Sequence, residues 1–216
     1  MKREIIITSD GSHSLRVNDL GETFHSKHGA VQESFHVYIK NGIQQVNQST
    51  IKVLEFGFGT GLNALLTIDF AEKHNKKIHY EAIEAYPLTE NEYCFLNYDN
   101  YTVSQTSIQE LHKLPFDITK QLNNKFSLLK HHSKIEEFSS NEKFHIIYFD
   151  VFGFDFQNEL WDNEILQKAY NLLLPNGIFV TYACKGIVNK RLKSIGFSVF
   201  KVAGPPGKRE MTVAVK

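Results

Sequence analysis

Three carboxylates and one glycine loop hold most of the chemistry this chain could perform. The loop reads Glu55-Phe56-Gly57-Phe58-Gly59-Thr60-Gly61-Leu62-Asn63, with glycine at three alternate positions. Glycine lets the backbone turn tightly and lets a ligand approach it closely. Glu55 stands just before the loop, Glu84 closes a second apolar run (Ile78 to Ile83), and Asp150 follows Phe144-His145-Ile146-Ile147-Tyr148-Phe149. An acid at a strand end near a glycine loop can accept hydrogen bonds from both hydroxyls of a ribose. Asp150 can accept a hydrogen bond from a substrate amine and aim its lone pair. With an ordinary pKa near ~3.9 it is a poor base for an alkylammonium, so orientation is its expected role.

These residues need strands and helices to bring them together. Ile51-Lys52-Val53-Leu54 is apolar and β-branched and reads as a buried strand. Leu62, Leu65, Leu66 and Phe70 recur at helical spacing, which predicts a helix over 62–73. Strand, glycine loop and helix together hold a nucleotide-like ligand at the helix N-terminus. Further strands are expected over 78–84, 126–130, 144–149 and 178–182, with helices over 89–96, 107–113, 163–174 and 186–195. Pro175-Asn176-Gly177 should close the third of these helices. Strands over 197–202 and 211–215, separated by Gly204-Pro205-Pro206-Gly207, resemble a long hairpin. This alternation predicts an α/β fold: a mostly parallel sheet covered on both faces, with a C-terminal antiparallel hairpin. Ligands bind such sheets outside the carboxyl ends of the strands, so Glu55, Glu84 and Asp150 should share one rim. Ahead of the core, a hairpin over 4–8 and 14–17 and a helix over 30–39 form a small N-terminal extension. We place it at residues 1–48 and the main domain at 49–216.

The loop spacing separates candidate ligands. Pyrophosphate sites prefer GxGxxG, whereas this loop is GxGxG, follows an acid and lacks a P-loop lysine. An acidic rim disfavours phosphate and suits a cationic sulfonium with a free amino group, which favours S-adenosylmethionine over NAD. Phe152, Phe154 and Phe156 suit either base stacking or core packing. Lys208-Arg209-Glu210-Met211 suits either a phosphate grip or an exposed charged arm.

The 24 Lys and Arg balance 24 Asp and Glu, so there is no global basic field. Locally, residues 185–216 carry eight Lys or Arg against Glu210 alone, while 134–164 carry eight acids against two lysines. The basic end could meet RNA or simply be a solvated face. Cys94 and Cys184 form no CxxC pair, and His25/His28 and His131/His132 lack a third ligand at familiar spacing, so no disulfide framework or metal is expected. No apolar stretch reaches membrane-spanning length and no signal peptide is evident at the start, so a cytoplasmic location is the default.

The loop, together with Glu84-Ala85-Tyr86-Pro87-Leu88, resembles the methyltransferase domain of the MnmC family, bacterial tRNA 5-methylaminomethyl-2-thiouridine biosynthesis enzymes. Phe149-Asp150-x-Phe152 with Trp161 eleven residues after Asp150, and the closing Lys208-Arg209-Glu210-Met211, match the same family. The resemblance runs from about Phe24 to the end. It implies a Rossmann-like class I methyltransferase that uses S-adenosylmethionine. The implied substrate is the primary amine of 5-aminomethyluridine, with or without 2-thiolation, at the tRNA wobble position, so the partner is the tRNA anticodon stem-loop. It further implies cofactor contacts from Glu55, Gly57, Phe58, Gly59, Thr60, Gly61, Asn63, Glu84 and Ala85. Asp150 would face the substrate amine, with Phe152, Phe154, Lys208 and Arg209 as substrate contacts.

Family members often carry Gly-Asp after the third core strand, where the acid meets the adenine amino group. Here that stretch is His131-His132-Ser133-Lys134, so Ser133 or a backbone group is expected to substitute. The loop after Asp150 reads Val-Phe-Gly-Phe where the family often has Gly-Phe-Ala-Pro, so substrate fit is expected to differ. Bifunctional members add a flavin-dependent oxidase domain. This chain ends where that domain would begin, so a stand-alone methyltransferase supplied by a separate upstream enzyme is expected. Two other functions stay open: a methyltransferase for a small amine or protein, and a non-catalytic RNA-binding module.

Overall fold

The computed structural model describes residues 2–19 and 21–216; Met1 and Leu20, both within the expected extension, lie outside the described residues. Strands β1 (Arg3–Ile7), β2 (His13–Val17) and β3 (Glu22–Thr23) form a small antiparallel sheet. Helix α1 (Ala30–Ser34) follows and widens into a π-helical turn over Phe35–Lys40. The main body then runs β4 (Thr50–Phe56), α2 (Leu62–His74), β5 (Lys77–Glu84), α3 (Glu90–Tyr93), α4 (Ile108–Lys113), β6 (Lys120–Asn123) and β7 (Phe126–His132). It continues through β8 (Phe144–Phe149), α5 (Asn163–Leu172), β9 (Leu173–Thr181), α6 (Gly186–Ile195), β10 (Ser198–Ala203) and β11 (Glu210–Val215).

Eight strands form the large sheet in the order β10-β11-β9-β8-β4-β5-β7-β6. The inner five, β9 to β7, are parallel; β6 and the β11–β10 hairpin add antiparallel edges. From β4 the chain moves outward to β5 and β7, then returns to lay β8 on the other side of β4. Strand order therefore reverses between β4 and β8, and a crevice opens at their carboxyl ends.

Strand periodicity decides what faces that crevice. Val53, Tyr80, Ala82, Ile146 and Tyr148 point to the face packed by α1, α2 and α4. Leu54, Phe56, Ile83, Ile147 and Phe149 point to the face packed by α5 and α6. Side chains alternate along a strand, so Glu55, Glu84 and Asp150 fall together on the α2 face. Every residue of α2 from Leu62 to Ala71 is buried, as expected of a helix enclosed on all sides. Leu15, Ala30, Val37 and Tyr38 of the extension belong to this same core.

The structure departs from the expected elements where the signal was short or polar. Helix α5 ends at Leu172, and Pro175-Asn176-Gly177 lies inside β9 as a bulge. Asn176 takes the left-handed φ of 63° there, a conformation asparagine tolerates. The expected helix over 89–96 is one turn, set by a capping box between Thr89 and Glu92. Strands β3 and β6 were not foreseen, because two and four mostly polar residues carry no alternation. No helix among the described residues is long and apolar enough to cross a membrane.

Trp161 braces the crevice from behind. It is fully buried, lies edge-on to Phe149 with ring centroids 4.9 Å apart, and its Nε1 donates to the Phe152 carbonyl at 2.9 Å. Trp161→Ala should lower unfolding free energy by ~3–5 kcal/mol in denaturant melts.

Candidate active site

The three loop glycines all take positive φ, at 91°, 51° and 75°, but for different reasons. A Cβ on Gly57 would sit 2.5 Å from the Asp150 carbonyl oxygen, so glycine lets the tips of β4 and β8 touch. A Cβ on Gly61 would sit 2.9 Å from the Phe58 ring, and Gly61 forms the left-handed cap of α2. Gly57 and Gly59 line the cavity at the strand tips, whereas Gly61 packs against Phe58 and Ile108 and does not. Of the three glycines expected to meet the ligand, two are therefore on the cavity wall. The loop's N–H groups are largely spent internally. Gly57 and Phe58 both donate to the Ile83 carbonyl at 3.1 Å, Gly59 donates to Glu84 Oε2 at 2.8 Å, and Gly61 donates to the Phe58 carbonyl at 2.8 Å. Such a loop offers a bare wall, not the ring of free N–H groups that phosphate needs.

The cavity holds about 330 Å³, within the ~300–1,000 Å³ range of small-molecule sites. Of the predicted residues, Gly57, Phe58, Gly59, Thr60, Asn63, Glu84, Ala85, Ser133, Asp150 and Phe152 line it. Glu84, Glu136, Asp150 and Glu159 give it four carboxylates against Arg3 and Lys134. Arg3 is engaged elsewhere, donating to the Tyr86 carbonyl at 2.7 Å and to Glu92 Oε2 at 3.2 Å. The lining therefore favours a cation. Glu84 accepts from Gly59 N–H through one oxygen and from Tyr86 N–H, at 2.7 Å, through the other. Each oxygen keeps a further lone pair for a hydroxyl. Ser133 donates its hydroxyl to the Lys134 carbonyl at 2.9 Å, while Glu136, three residues on, brings an acid into the same wall.

Asp150 sits half-buried on the cavity floor and accepts from Asn63 Nδ2 at 2.7 Å. Burial pushes its pKa up to about 6; the nearby Tyr38 hydroxyl and the Asn63 hydrogen bond oppose the rise, Glu33 adds to it and Lys208 offsets it. The premise of an ordinary carboxylate pKa is thereby corrected. Glu55 is not a rim charge. It is fully buried beneath the loop, where desolvation holds its pKa well above the carboxylate range against the pull of the Asn63 hydrogen bond at 2.8 Å.

Phe154, Lys208 and Arg209 lie outside the cavity lining. The Phe154 ring is flanked by Lys185 and Arg191, each 5.5 Å from its centroid. Lys208 Nζ bonds Glu33 Oε1 at 2.7 Å and lies 4.0 Å from the centroid of the Tyr182 ring; Arg209 is exposed. Half of the eight cations of the basic end are thus paired from within. Lys185 pairs with Asp155, Arg191 with Asp162, Lys201 with Glu210 and Lys208 with Glu33, while Lys216 caps the Tyr170 and Leu173 carbonyls. Sequence reasoning missed Phe24, His25, Glu136, Glu159 and Tyr182 as wall residues. Glu136 and Glu159 were visible as part of an acidic stretch, but nothing local tied them to a pocket. Burial drives the His25 pKa down to about 4, so that wall is neutral near pH 7.

A family model described as S-adenosyl-L-methionine-dependent methyltransferase matches residues 94–216. The chain belongs to that family. Its cofactor is S-adenosylmethionine, and the acidic cavity with its bare glycine wall fits a sulfonium bearing an amino group and a ribose. When bound, S-adenosylmethionine supplies an electrophilic methyl group. The tRNA 5-methylaminomethyl-2-thiouridine biosynthesis bifunctional protein MnmC of Cupriavidus necator is 28% identical over 98% of this chain and 34% of its own length. The chain spans about a third of the length of the curated relatives it matches. The solved structure of MNMC2 from Aquifex aeolicus aligns over 99% of this chain and 70% of that one, at 25% identity and a TM-score of 0.80. A Pyrococcus furiosus methyltransferase, 16% identical, covers 93% of this chain and 90% of its own, with a TM-score of 0.53, and speaks for the fold alone. Together these bear out the α/β class I methyltransferase fold and the resemblance to the MnmC methyltransferase domain.

The raised Asp150 pKa carries a stability cost for this methyltransferase. Between pH 4 and pH 6 the unfolded carboxyl ionises while the folded one keeps its proton. Stability is therefore lost as pH rises through that window. Asp150→Asn should be the more stable protein above pH 6, by ~1–3 kcal/mol after allowing for partial exposure, and equal to wild type near pH 4. Urea melts across pH 4–8 measure the difference.

Proposed function

We propose that this methyltransferase acts on the primary amine of 5-aminomethyluridine, with or without 2-thiolation, at the wobble position of tRNA. The anticodon stem-loop is the partner, and a separate enzyme supplies the aminomethyl group. One observation carries this reading: an acid poised to accept a hydrogen bond, Asp150, lies on the floor of the cofactor cavity in a chain similar over nearly its whole length to proteins named for tRNA 5-methylaminomethyl-2-thiouridine biosynthesis. In this reading Glu84 takes the ribose, the cavity-facing loop residues from Gly57 to Asn63 wall the cofactor, and Ser133 and Glu136 meet the adenine edge. Asp150 accepts from the amine and orients its lone pair, with Phe152 beside it. Residues 1–48 act as an extension that closes the pocket of the 49–216 domain.

A second reading, a small amine or a protein as substrate, draws on one observation. Four of the eight C-terminal cations are in ion pairs and Lys216 is spent on two backbone carbonyls, which leaves Lys190, Lys193 and Arg209 with neither kind of partner among the described residues. A site with few spare cations would show a shallow salt dependence.

Labelled cofactor and tRNA bearing aminomethyluridine test both readings. Methyl incorporation at the wobble nucleoside, identified by mass spectrometry, is expected. Asp150→Ala should cut kcat/KM by ~100-fold or more. A folded protein that binds cofactor but leaves this tRNA unmodified overturns the tRNA reading; turnover of free amines without RNA supports the second.

A further inference from the structure

We infer that Asn63 is the positioning residue for Asp150: its side-chain amide bridges two carboxyl groups, keeps the negative charge on Asp150 and leaves Glu55 behind it as a neutral acid. This rests on Asp150 facing the substrate amine. Asn63 Nδ2 carries two hydrogens, and both are committed, one to Glu55 Oε1 at 2.8 Å and one to Asp150 Oδ2 at 2.7 Å. Two acids joined through a single NH2 group in a buried site do not both ionise readily. Glu55 has no exposure at all, whereas Asp150 reaches the cavity, so the charge belongs on Asp150. The reversed amide would aim its carbonyl oxygen at both carboxyls, which an ionised Asp150 forbids. Asn63 Oδ1 and Glu55 Oε2 accordingly remain without a hydrogen-bond partner.

The support is rigid. Asn63 lies in the first turn of α2, whose start is set by the Gly61 cap, and Thr67 Oγ1 donates to its carbonyl at 2.6 Å. Asn63 makes the one side-chain hydrogen bond to the Asp150 carboxyl among the described residues, and the nearby Tyr38 hydroxyl has no hydrogen-bond partner. The Tyr38 hydroxyl approaches from the π-helical turn; Glu33 and Lys208 pair with each other at 2.7 Å and largely cancel. Tyr182 is turned to the Val151 carbonyl at 2.9 Å. Behind Glu55 stands the buried Tyr80. With Oδ2 pinned by Asn63, Oδ1 of Asp150 is left for the substrate.

Carboxyl-carbon NMR titration of the intact protein tests this without any substrate. In wild type, Asp150 should titrate near 6. Glu55 should keep its proton throughout pH 4–8. Asn63→Ala should raise the Asp150 midpoint by about one unit, and Asn63→Ser, which keeps one donor, by roughly half that. Glu55→Gln should leave the midpoint within about half a unit, because glutamine replaces a group already neutral; removing a true charge would lower it by roughly a unit or more. Circular dichroism and urea melts check that each variant retains its fold. An Asp150 midpoint indifferent to Asn63, or a Glu55 that ionises below pH 7, overturns the inference. Full amine methylation by Asp150→Ala would instead overturn the reading on which it rests, and the titration would still stand.

Discussion

The amide of Asn63 is held between two acids, Glu55 and Asp150, which belong to neighbouring strands. That contact needs β4 and β8 to end side by side, and Gly57 is what permits it, since any side chain there would strike the Asp150 carbonyl oxygen. The Asp150 N–H in turn donates to the Phe56 carbonyl at 3.0 Å, extending the parallel ladder by one step past the last paired residues. The glycine loop, the first turn of α2 and the tip of β8 thus form one unit. Its strand frame is set by backbone hydrogen bonds, and one side-chain amide joins its two acids.

The cavity is acidic, yet it is not a random cluster of like charges. Glu84 is tied to two backbone N–H groups, Asp150 to Asn63, and burial holds the Glu55 pKa well above the carboxylate range. Each carboxyl keeps a defined orientation, and negative charge accumulates only where the wall is open to a ligand. The N–H groups of Gly57, Phe58, Gly59 and Gly61, in a loop that other nucleotide folds turn toward phosphate, are here consumed by Ile83, Glu84 and Phe58. A sulfonium cofactor, which has no phosphate, requires no such donors.

The N-terminal extension is part of the site wall. Arg3 grips the turn after β5 through the Tyr86 carbonyl, and Phe24 leans edge-on to Phe152 with centroids 5.1 Å apart. The ion pair between Glu33 and Lys208 joins α1 to the hairpin at the other end of the chain. Gly207 is needed there, because a Cβ would lie 2.1 Å from the His28 ring. The N-terminal extension and the turn between β10 and β11 therefore meet each other. The aromatic run after Asp150 divides, with Phe152 on the wall and Phe154 between two cations.

Much of this was legible in the sequence because it is local or periodic. The strand–loop–helix unit, the central strand ending at Asp150 and the closing hairpin follow from alternation, β-branching and glycine spacing, which are properties of neighbouring residues. The family resemblance rests on the same contiguous motifs. Which charges are available was not legible, because ionisation depends on burial and partners that come from distant segments. Glu55 read as a rim acid and is fully buried with a raised pKa; Lys208, for which a phosphate grip and an exposed arm both stood open, pairs internally with Glu33. The sequence by itself determined the fold class and the position of the glycine loop. Only the tertiary structure decided which acids face the ligand, since the crossover between β4 and β8 brings residues 55, 63 and 150 to hydrogen-bond distance.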